Sequence, residues 1–378
     1  MTNSTVRSGK IDYHGLKLFV GIDVGKKSWQ ITIRTRTNEV RSFSAAPKAD
    51  GLAKHLQREY HGAEYLAGYE AGYSGFWLQR QLTAHGIPCV VLNPADIAST
   101  DKDRRRKTDS IDACRIAAEL ANDVRPLHTV YVPSVEHEEA RALVRARGQA
   151  VNSCVRAKMR TLSLLDQMGV EPPAGKRVTF SRECMVWLRT VRLQTAAGAE
   201  ALQVHIEDVE HSQQRVQDIV RRMLALGEQE PWRRTTELLA SIKGIGPMSA
   251  VIWAVEIGPW DRFPSADHLV SYVGLVPEYR QSSTMDKTLG ITPRAASYLR
   301  PLLLQNAHSA ARHDPELRAI HQTLMARGKK SQEAKIYVAK RLLLRMRAVV
   351  LRDTPYVQRT MPAKKLVLVK PESVRPSL

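Results

Sequence analysis

The first third of the chain alternates between short apolar runs and amphipathic stretches. Residues 17–22 form an apolar run that predicts a strand, and a turn at 23–27 leads to a second strand beginning at Trp29. Strands and helices then follow in alternation, so we expect a mixed sheet covered by helices. The later predicted elements are a strand at 39–44, a helix at 49–60, a strand at 64–69, a helix at 73–85 and a strand at 88–93.

Beyond Lys107 the pattern becomes helical. Thr108 or Asp109 can cap a short helix, and a long helical stretch is predicted over 136–227, broken at 169–176. From Leu202 to Met223 the apolar positions recur with a 4,3 spacing that Gln213 interrupts. This spacing is typical of a coiled-coil hairpin or a partner helix, and equally of an amphipathic helix packed in its own domain.

After a linker at 227–232, two apolar helices flank the tight turn Gly244-Ile245-Gly246, which predicts a helix-hairpin-helix. The amides of such a turn and the N-terminus of the following helix can hold a backbone phosphate, although Gly-x-Gly turns also join helices that bind nothing. Further on, Ser282 lies in a basic loop with Lys287 and Arg294. A serine there usually forms a turn, but beside a metal site it can be a nucleophile towards DNA phosphate.

The composition describes a strongly basic protein with a normal core. Its 378 residues carry 57 Lys+Arg against 38 Asp+Glu, a formal charge of +19, and 43% are hydrophobic. No apolar window approaches the ~18 residues of a membrane span, and the N-terminus lacks a secretory signal. The four cysteines form no C-x-x-C pair, so we expect no zinc site and a cytoplasmic, nucleoid-associated location. Such a charge indicates a nucleic-acid partner, and the alternative is solubility alone.

The positive charge is concentrated in three places. The last 58 residues contain 14 Lys+Arg and only three acidic residues. A second cluster is Arg104, Arg105, Arg106 and Lys107, and the third lies on the helix predicted from residue 136 onwards. Clusters of this kind neutralise phosphates and release counterions, although each alone can be a solvated face. The third cluster comprises Arg141, Arg145, Arg147, Arg156, Lys158 and Arg160.

Four carboxylates stand at places where they could meet. Asp23 ends the first predicted strand, Glu70 ends the fourth, and Asp109 and Asp112 lie one helical turn apart. Gathered carboxylates repel one another unless a cation joins them, and oxygen ligands suit Mg²⁺ or Mn²⁺. A pair of such ions can clamp the attacking and leaving oxygens of a phosphoryl displacement. The same residues can equally be a turn former, a salt-bridge partner and helix-capping acids.

Several short motifs together resemble the DEDD-type insertion-sequence transposases of the insertion sequence one-ten family, the bridge-RNA-guided recombinases. The resemblance covers about residues 17–345, and the order and spacing of the motifs are specific although each one alone is weak. The motifs are Val20-Gly-Ile-Asp-Val24, Glu70-Ala-Gly, Lys107-Thr-Asp-Ser-Ile-Asp-Ala113, Ile242-Lys-Gly-Ile-Gly246, Gly274-Leu-Val-Pro277 and Tyr298-Leu-Arg300.

The resemblance implies a fold, a site and a reaction. Asp23, Glu70, Asp109 and Asp112 take the positions of the acids that bind Mg²⁺ in a RuvC-like, RNase H-type domain, and Ser282 takes the position of the catalytic serine. That serine would form a 5′-phosphoserine link to DNA, in a site shared between subunits of a dimer. Two dimers would pair as a tetramer around a structured RNA that base-pairs with donor and target DNA. We expect nucleic-acid contacts from the 104–107 cluster, Lys243, Gly244, Gly246, Lys287, Arg294 and Arg300.

Two departures from the family pattern leave alternatives open. Ser283 stands where the family has glycine, which makes it a rival nucleophile, and Pro293-Arg-Ala-Ala296 replaces a glycine-containing loop. Two other functions remain possible: a RuvC-like endonuclease that hydrolyses junction DNA without a covalent intermediate, and a non-catalytic nucleic-acid-binding scaffold. The expected architecture is α/β plus α. It divides into a flexible N-terminus (1–15), a RuvC-like domain (16–135), a helical or coiled-coil segment (136–232), a mostly helical transposase domain with a helix-hairpin-helix (233–350) and a mobile basic tail (351–378).

Overall fold

A computed structural model of the chain describes residues 13–97, 109–124, 126–173, 177–282, 285–291 and 298–358, with the backbone alone at 109–110 and 277–291. The chain forms two compact units, Met1–Val132 and Pro133–Leu378. Within the described ranges, no helix is both long and apolar enough to cross a membrane. The finer division into five segments stays a prediction.

The first unit is built on a mixed five-stranded sheet, as the sequence predicted. The strand order is β3-β2-β1-β4-β5. The first three strands pair antiparallel, whereas β4 is parallel to both β1 and β5. The elements are β1 (Lys17–Val24), β2 (Trp29–Arg34), β3 (Glu39–Ala45), α1 (Ala49–Glu59), β4 (Glu64–Glu70), α2 (Trp77–Ala84), β5 (Cys89–Leu92) and α3 (Asp109–Leu120).

The two faces of this sheet are covered by different helices. Because successive side chains of a strand point to opposite faces, Leu18, Val20 and Ile22 of β1 share one core with the buried leucines of α1 and α2. On the other face, Phe19 packs with Ile116 and Leu120 of α3. The strand β1 is therefore apolar on both faces, which explains why its sequence is a continuous apolar run rather than an alternating pattern.

The second unit is mostly helical. Its helices are α4 (Val135–Gln167), α5 (Arg182–Thr190), α6 (Ala196–Gly227), α7 (Arg233–Ala240), α8 (Pro247–Ile257), α9 (Ala266–Val273), α10 (Leu299–His313), α11 (Pro315–Ala326) and α12 (Ser331–Leu351). A two-stranded antiparallel hairpin, β6 (Pro277–Ser282) and β7 (Met285–Ile291), lies between α9 and α10 in the chain.

The helices α4 and α6 lie side by side for most of their length and form a helical arm, with α5 packed against α6 near its far end. At 33 and 32 residues, each is roughly 50 Å long. The 4,3-spaced residues Leu202, Ile206 and Val209 are buried against α4 and α5 of the same chain. Gln213, which interrupts the spacing, donates to the carbonyl oxygen of Phe180 at 3.2 Å. In the structure these apolar positions therefore face the chain's own core.

The base of the arm and the helices α7–α12 share one large core. Ala140 and Val144 of α4 and Met223 of α6 pack in the same cluster as Trp253, which is fully buried in α8. The helix α8 is buried from Ser249 to Ile257, as expected for an 11-residue helix whose sequence is apolar except for Ser249 and Glu256. This central helix fixes the positions of its neighbours.

Candidate active site

Two of the four predicted acids lie side by side at the edge of the first unit's sheet. The parallel register pairs Gly21 with Gly68 and Ile22 with Tyr69, so Asp23 and Glu70 are the next residues along neighbouring strands. They follow Gly21 and Gly68 by two residues, which places them on the face that α3 covers. Both carboxylates are half-buried. The carboxyl ends of β1 and β4 therefore present two adjacent acids beneath one helix.

The helix α3 lies unusually close to the sheet because small residues face one another. A Cβ added at Gly21 would lie 2.2 Å from the carbonyl oxygen of Ala113 and 2.4 Å from the amide nitrogen of Ala117. A Cβ at Gly68 would lie 3.0 Å from the Leu120 side chain. A side chain at Gly21 would therefore displace the helix backbone, whereas one at Gly68 would require the Leu120 side chain to shift by a few tenths of an ångström.

The direction of α3 brings its N-terminal turn to the acids. Phe19 packs near the end of the helix, and Gly21, two residues later, contacts its middle at Ala113. The helix α3 therefore runs antiparallel to β1. Moving along β1 from Gly21 to Asp23 corresponds to moving back along α3 from Ala113 towards Asp112. Asp109, at the start of α3, is one turn further back, and its side chain lies outside the described part of the structure. The fold thus brings Asp23, Glu70 and the start of α3 to one edge.

Asp112 is held by a basic residue of its own helix. Arg115 donates from Nη1 to Asp112 Oδ1 at 3.1 Å, and both side chains are mostly shielded, at 23% and 16% exposed. This arginine satisfies one carboxylate oxygen when no cation is present. Sequence reasoning missed Arg115, although its i, i+3 spacing from Asp112 is a readable signal.

The donor set fits a hard divalent cation in its chemistry. Carboxylate oxygens from two strand ends and a helix are the ligands that Mg²⁺ and Mn²⁺ prefer. Among the described side chains, no three His, Cys, Asp or Glu lie close enough to form a metal-binding group. Asp23, Glu70 and Asp112 are the described carboxylates at this edge that could supply such oxygen ligands.

A tyrosine joins the loops that follow the two acidic strands. The hydroxyl of Tyr73, three residues after Glu70, donates to the carbonyl oxygen of Val24 at 2.6 Å. Lys26 places its Nζ 5.7 Å from the centre of the same ring. Sequence reasoning missed both contacts, because nothing in the local pattern says that these two loops meet. Tyr73 fixes the loop after Glu70 to the end of β1, directly beside Asp23.

In the second unit, α7 and α8 flank the turn at 241–246 that contains both predicted glycines. Gly244 has a φ of +97°, and a Cβ there would lie 2.5 Å from the backbone of Ala310 in α10. Lys243 and Gly246 are exposed, and Pro247 begins α8 without a side-chain cap. The turn thus presents one cation and the uncapped start of a helix.

A buried asparagine holds this turn in place. Asn306 of α10 accepts a hydrogen bond from Trp253 Nε1 at 2.9 Å and donates to Ser249 Oγ at 3.1 Å and to the Gly244 carbonyl oxygen at 3.3 Å. Its side chain is 4% exposed. Sequence reasoning missed Asn306, because its partners lie more than 50 residues away along the chain.

The predicted serine lies at the tip of the β6–β7 hairpin. Ser282 is the last residue of β6 and pairs with Met285, the first residue of β7, while Lys287 stands opposite Arg280. The side chains of Ser282 and Lys287 lie outside the described part of the structure, as do Ser283, Arg294 and the basic cluster 104–107. Arg300 is half-buried in the first turn of α10.

Three of the six cations in the basic cluster on α4 have partners within the second unit, which counting charges did not reveal. Arg141 is 8% exposed and donates to the carbonyl oxygens of Val255 and Glu256 at the end of α8. Arg145 forms a forked pair with the buried carboxylate of Glu256 at 3.1 and 3.2 Å, which raises the pKa of the arginine further. Arg160 pairs with Asp208 of α6.

The beginning of the basic tail is docked, whereas the sequence suggested mobility after Arg352. Arg234 of α7 donates to the carboxylate of Asp353 at 2.6 Å and to its carbonyl oxygen at 2.8 Å. The amide of Tyr356 donates to Ser241 Oγ at 2.8 Å. Residues 353–356 are therefore part of the folded second unit, and residues 359–378 lie outside the description.

Comparisons with known proteins agree with this arrangement. Residues 20–170 match the model of DEDD transposases of the IS110 type, and residues 236–322 match the model of the transposase IS116/IS110/IS902 family. The putative transposase y4qE of Sinorhizobium fredii is 31% identical over 296 residues, which cover 76% of this chain and 70% of the relative. The putative transposase y4rJ of the same organism is 27% identical over 332 residues, 79% and 81% of the two chains.

A more distant relative carries a more specific description. The transposase of insertion sequence element IS1533 from Leptospira borgpetersenii is 24% identical over 247 residues, 64% of this chain and 70% of the relative. The first family match contains Asp23, Glu70, Asp109 and Asp112, and the second contains the α7–α8 turn and Ser282. The chain belongs to the IS110 family of DEDD transposases, which act on DNA in the transposition of insertion sequences.

Proposed function

We propose that this transposase cuts and rejoins donor and target DNA through a covalent intermediate on Ser282, assisted by the acids Asp23, Glu70, Asp109 and Asp112. The observation that supports this most is the placement of Asp23 and Glu70 side by side on parallel strands, under the helix that carries Asp112. In a DNA transposase, adjacent half-buried acids at strand ends are well placed to bind a divalent cation beside the reacting phosphate.

The acids position the phosphate that reacts. A bound Mg²⁺ or Mn²⁺ would supply charge neutralisation at the phosphate oxygens and stabilise the charge of the transition state. Asp23 and Glu70, fixed on the sheet, would set the location of that charge, while Asp112 and Asp109 would close the ligand set from α3. Arg115 keeps Asp112 oriented until the ligand set assembles.

The serine carries the chemical step. Its Oγ attacks the phosphorus of one DNA strand, a new Oγ–P bond forms, and the bond from phosphorus to the 3′ oxygen breaks. The serine proton ends on the released 3′ oxygen, so the products are a 5′-phosphoserine and a free 3′ hydroxyl. Attack by the 3′ hydroxyl of another strand then reverses the step and restores the serine.

The wider proposal concerns partners. The RNA guide is a structured noncoding RNA that base-pairs with donor and target, and the working assembly is a dimer of dimers in which serine and acids act on the same phosphate. The formal charge of +19 supports a protein that holds two nucleic acids at once. The α7–α8 turn, with Lys243, Gly244 and Gly246, would hold a backbone phosphate at the start of α8. The remaining cations predicted from sequence would extend these backbone contacts: the 104–107 cluster, Lys287, Arg294 and Arg300.

A strand-transfer assay with donor, target and the element's noncoding RNA tests this proposal. We expect Asp23→Ala, Glu70→Ala and Ser282→Ala each to lower activity roughly 10³-fold or more, the scale of losing an essential catalytic group. Ser283→Ala is the matched control and retains activity. Full activity in Ser282→Ala with loss in Asp23→Ala would favour hydrolysis by activated water. If the parent protein binds nucleic acid in a salt-sensitive way but shows no metal-dependent cleavage, only the non-catalytic scaffold function would remain.

A further inference from the structure

A cavity of about 600 Å³ lies along one side of α12 in the second unit, where no function has been placed. Its size falls within the ~300–1,000 Å³ of small-molecule sites. The floor is apolar and consists of Leu344, Ala348 and Val349 of α12 together with Pro355 and Tyr356 of the docked segment. The cavity therefore exists only because residues 353–356 fold back against α12.

The wall that contains Tyr356 is held by a hydrogen bond at the hydroxyl and by a guanidinium over the ring. Its hydroxyl donates to Asp314 Oδ2 at 2.8 Å, and the Arg345 guanidinium lies 4.6 Å from the ring centre. Burial and the bond to Asp314 raise the pKa of this hydroxyl to about 12, so it remains a donor at neutral pH. Arg345 is itself neutralised by Asp314 at 2.7 Å and by Glu316 at 2.8 Å. The wall is a preformed surface rather than a mobile flap.

Two other arginines give the cavity an uncompensated positive rim. Arg341 and Arg352 both line it, both are exposed, and neither forms an ion pair with any residue that the structure describes. They are 11 residues apart, close to three full turns, so they project from the same side of α12 at a separation of roughly 16 Å. That length can face several successive phosphates of one strand, which lie about 3.4 Å apart along the axis even in a duplex.

We propose that this groove binds an unpaired nucleotide within a nucleic-acid strand, with its base in the apolar cavity and the flanking phosphates on Arg341 and Arg352. An apolar floor with an aromatic wall and a cationic rim is the combination that single-stranded nucleic acid needs. A base-paired nucleotide cannot enter, because its base is stacked within the duplex. RNA and DNA share this chemistry, so either can supply the nucleotide.

Binding of labelled oligo-dT and oligo-U to the full-length protein tests the proposal. The measurement is fluorescence anisotropy in buffer with a chelator, so the result is independent of cleavage and of the proposed function of Ser282. We expect Arg341→Ala with Arg352→Ala to weaken binding about tenfold and to lower the slope of log K against log salt by about 1.4, or 0.7 for each contact. The matched control is Lys48→Ala, an exposed cation before α1 that lies outside the three basic clusters, and we expect it to leave the slope unchanged.

A cavity-filling variant separates the base from the phosphates. We expect Ala348→Phe to weaken binding of single strands severalfold with the salt slope unchanged, and to leave duplex binding as in the parent. Thermal unfolding shows whether the variant is folded, and Ala348→Leu serves as a milder substitute if it is not. A response with only one of the two oligonucleotides identifies the source of the nucleotide. Parental binding in the folded variants, or an equal loss in Lys48→Ala, would overturn the proposal.

Discussion

The acidic edge of the first unit and the α7–α8 turn of the second unit both depend on a close backbone contact, but different interactions hold each contact. Each requires two backbones to approach more closely than ordinary side chains permit, and each uses a glycine at the contact: Gly21 against Ala113, and Gly244 against Ala310. At Gly21, the contact is made with two alanines of α3, Ala113 and Ala117, and apolar side chains pack around it. At the turn, the contact is reinforced by the buried hydrogen bonds of Asn306.

The difference shows how each site tolerates change. Where a sheet and a helix meet through small residues, no hydrogen bond can be lost by mutation. The contact is disturbed when a larger side chain is introduced. A turn held by a buried polar network fails when one partner is removed, since the others are then left unsatisfied. Substitution by a larger residue should therefore disturb the sheet–helix contact, whereas truncation of a hydrogen-bonding side chain should disturb the turn.

Of the variants that test this comparison, Gly21→Ala is expected to have the largest effect on activity. Its Cβ would lie 2.2 Å from the Ala113 carbonyl, where ordinary contact begins at 3.4 Å, so α3 must move by about 1 Å. A displacement of that size at catalytic groups costs roughly 10²-fold in rate, and overpacking costs about 1–3 kcal/mol in the free energy of unfolding. Strand transfer and thermal unfolding together measure both effects.

The control for this variant is Gly51→Ala in α1, where the nearest atom to the added Cβ is 3.8 Å away. We expect it to retain activity and to gain up to about 1 kcal/mol in stability, because alanine favours the helix. A Gly21→Ala protein as active as the parent would show that the close approach of α3 does not position the acids.

Next in size is Asn306→Ala, which removes three hydrogen bonds and leaves Trp253 Nε1 buried without its acceptor. We expect a loss of roughly 2–4 kcal/mol in the free energy of unfolding, measured by denaturant titration. Asn152→Ala, at an exposed position of α4, is the matched control and should change stability by less than about 0.5 kcal/mol. Equal stability in both variants would mean that packing alone holds the turn.

The smallest expected effect comes from the tail. Ending the chain after Gln358 removes Arg359, Lys364, Lys365, Lys370 and Arg375. If these residues contact nucleic acid, the slope of log K against log salt falls by about 0.7–0.9 for each contact, with unfolding unchanged. Ending it after Arg352 also removes Asp353 and Tyr356, so this second truncation should lower stability as well. If the salt slope is unchanged after the first truncation, the residues after Gln358 serve solubility rather than nucleic-acid binding.

Much of the first unit could be predicted from sequence, because its signals are local. Apolar runs and the turns between them predicted the five strands and the two helices, α1 and α2, that cover one face of the sheet. The ends of two of those strands predicted Asp23 and Glu70 as site residues. The role of Gly21 also had a signal, since a glycine inside an apolar strand indicates a close backbone approach. The pairing of Gly21 with Gly68 depends on the register between β1 and β4, and the local sequence pattern does not determine that register.

The second unit was harder because its contacts are distant in sequence. Charge counting assigned Arg141 and Arg145 to nucleic acid, but their partners are at the end of α8, more than 110 residues away. Likewise, a Pro-containing basic segment resembles a mobile tail, although Asp353 and Tyr356 bind back to α7 and the turn after it. Electrostatic and hydrogen-bond partners of this kind become visible only once the chain is folded.

The most direct test of the central claim is to trap and map a covalent protein–DNA adduct. The parent protein is incubated with Mg²⁺, guide RNA and a nicked donor that prevents rejoining, and the digested adduct is sequenced by mass spectrometry. We predict a nucleotide joined through its 5′ phosphate to Ser282, absent in Ser282→Ala and in Asp23→Ala but present in Ser283→Ala. Cleaved DNA with free 5′ phosphates and no adduct, or an adduct on another residue, would contradict the account.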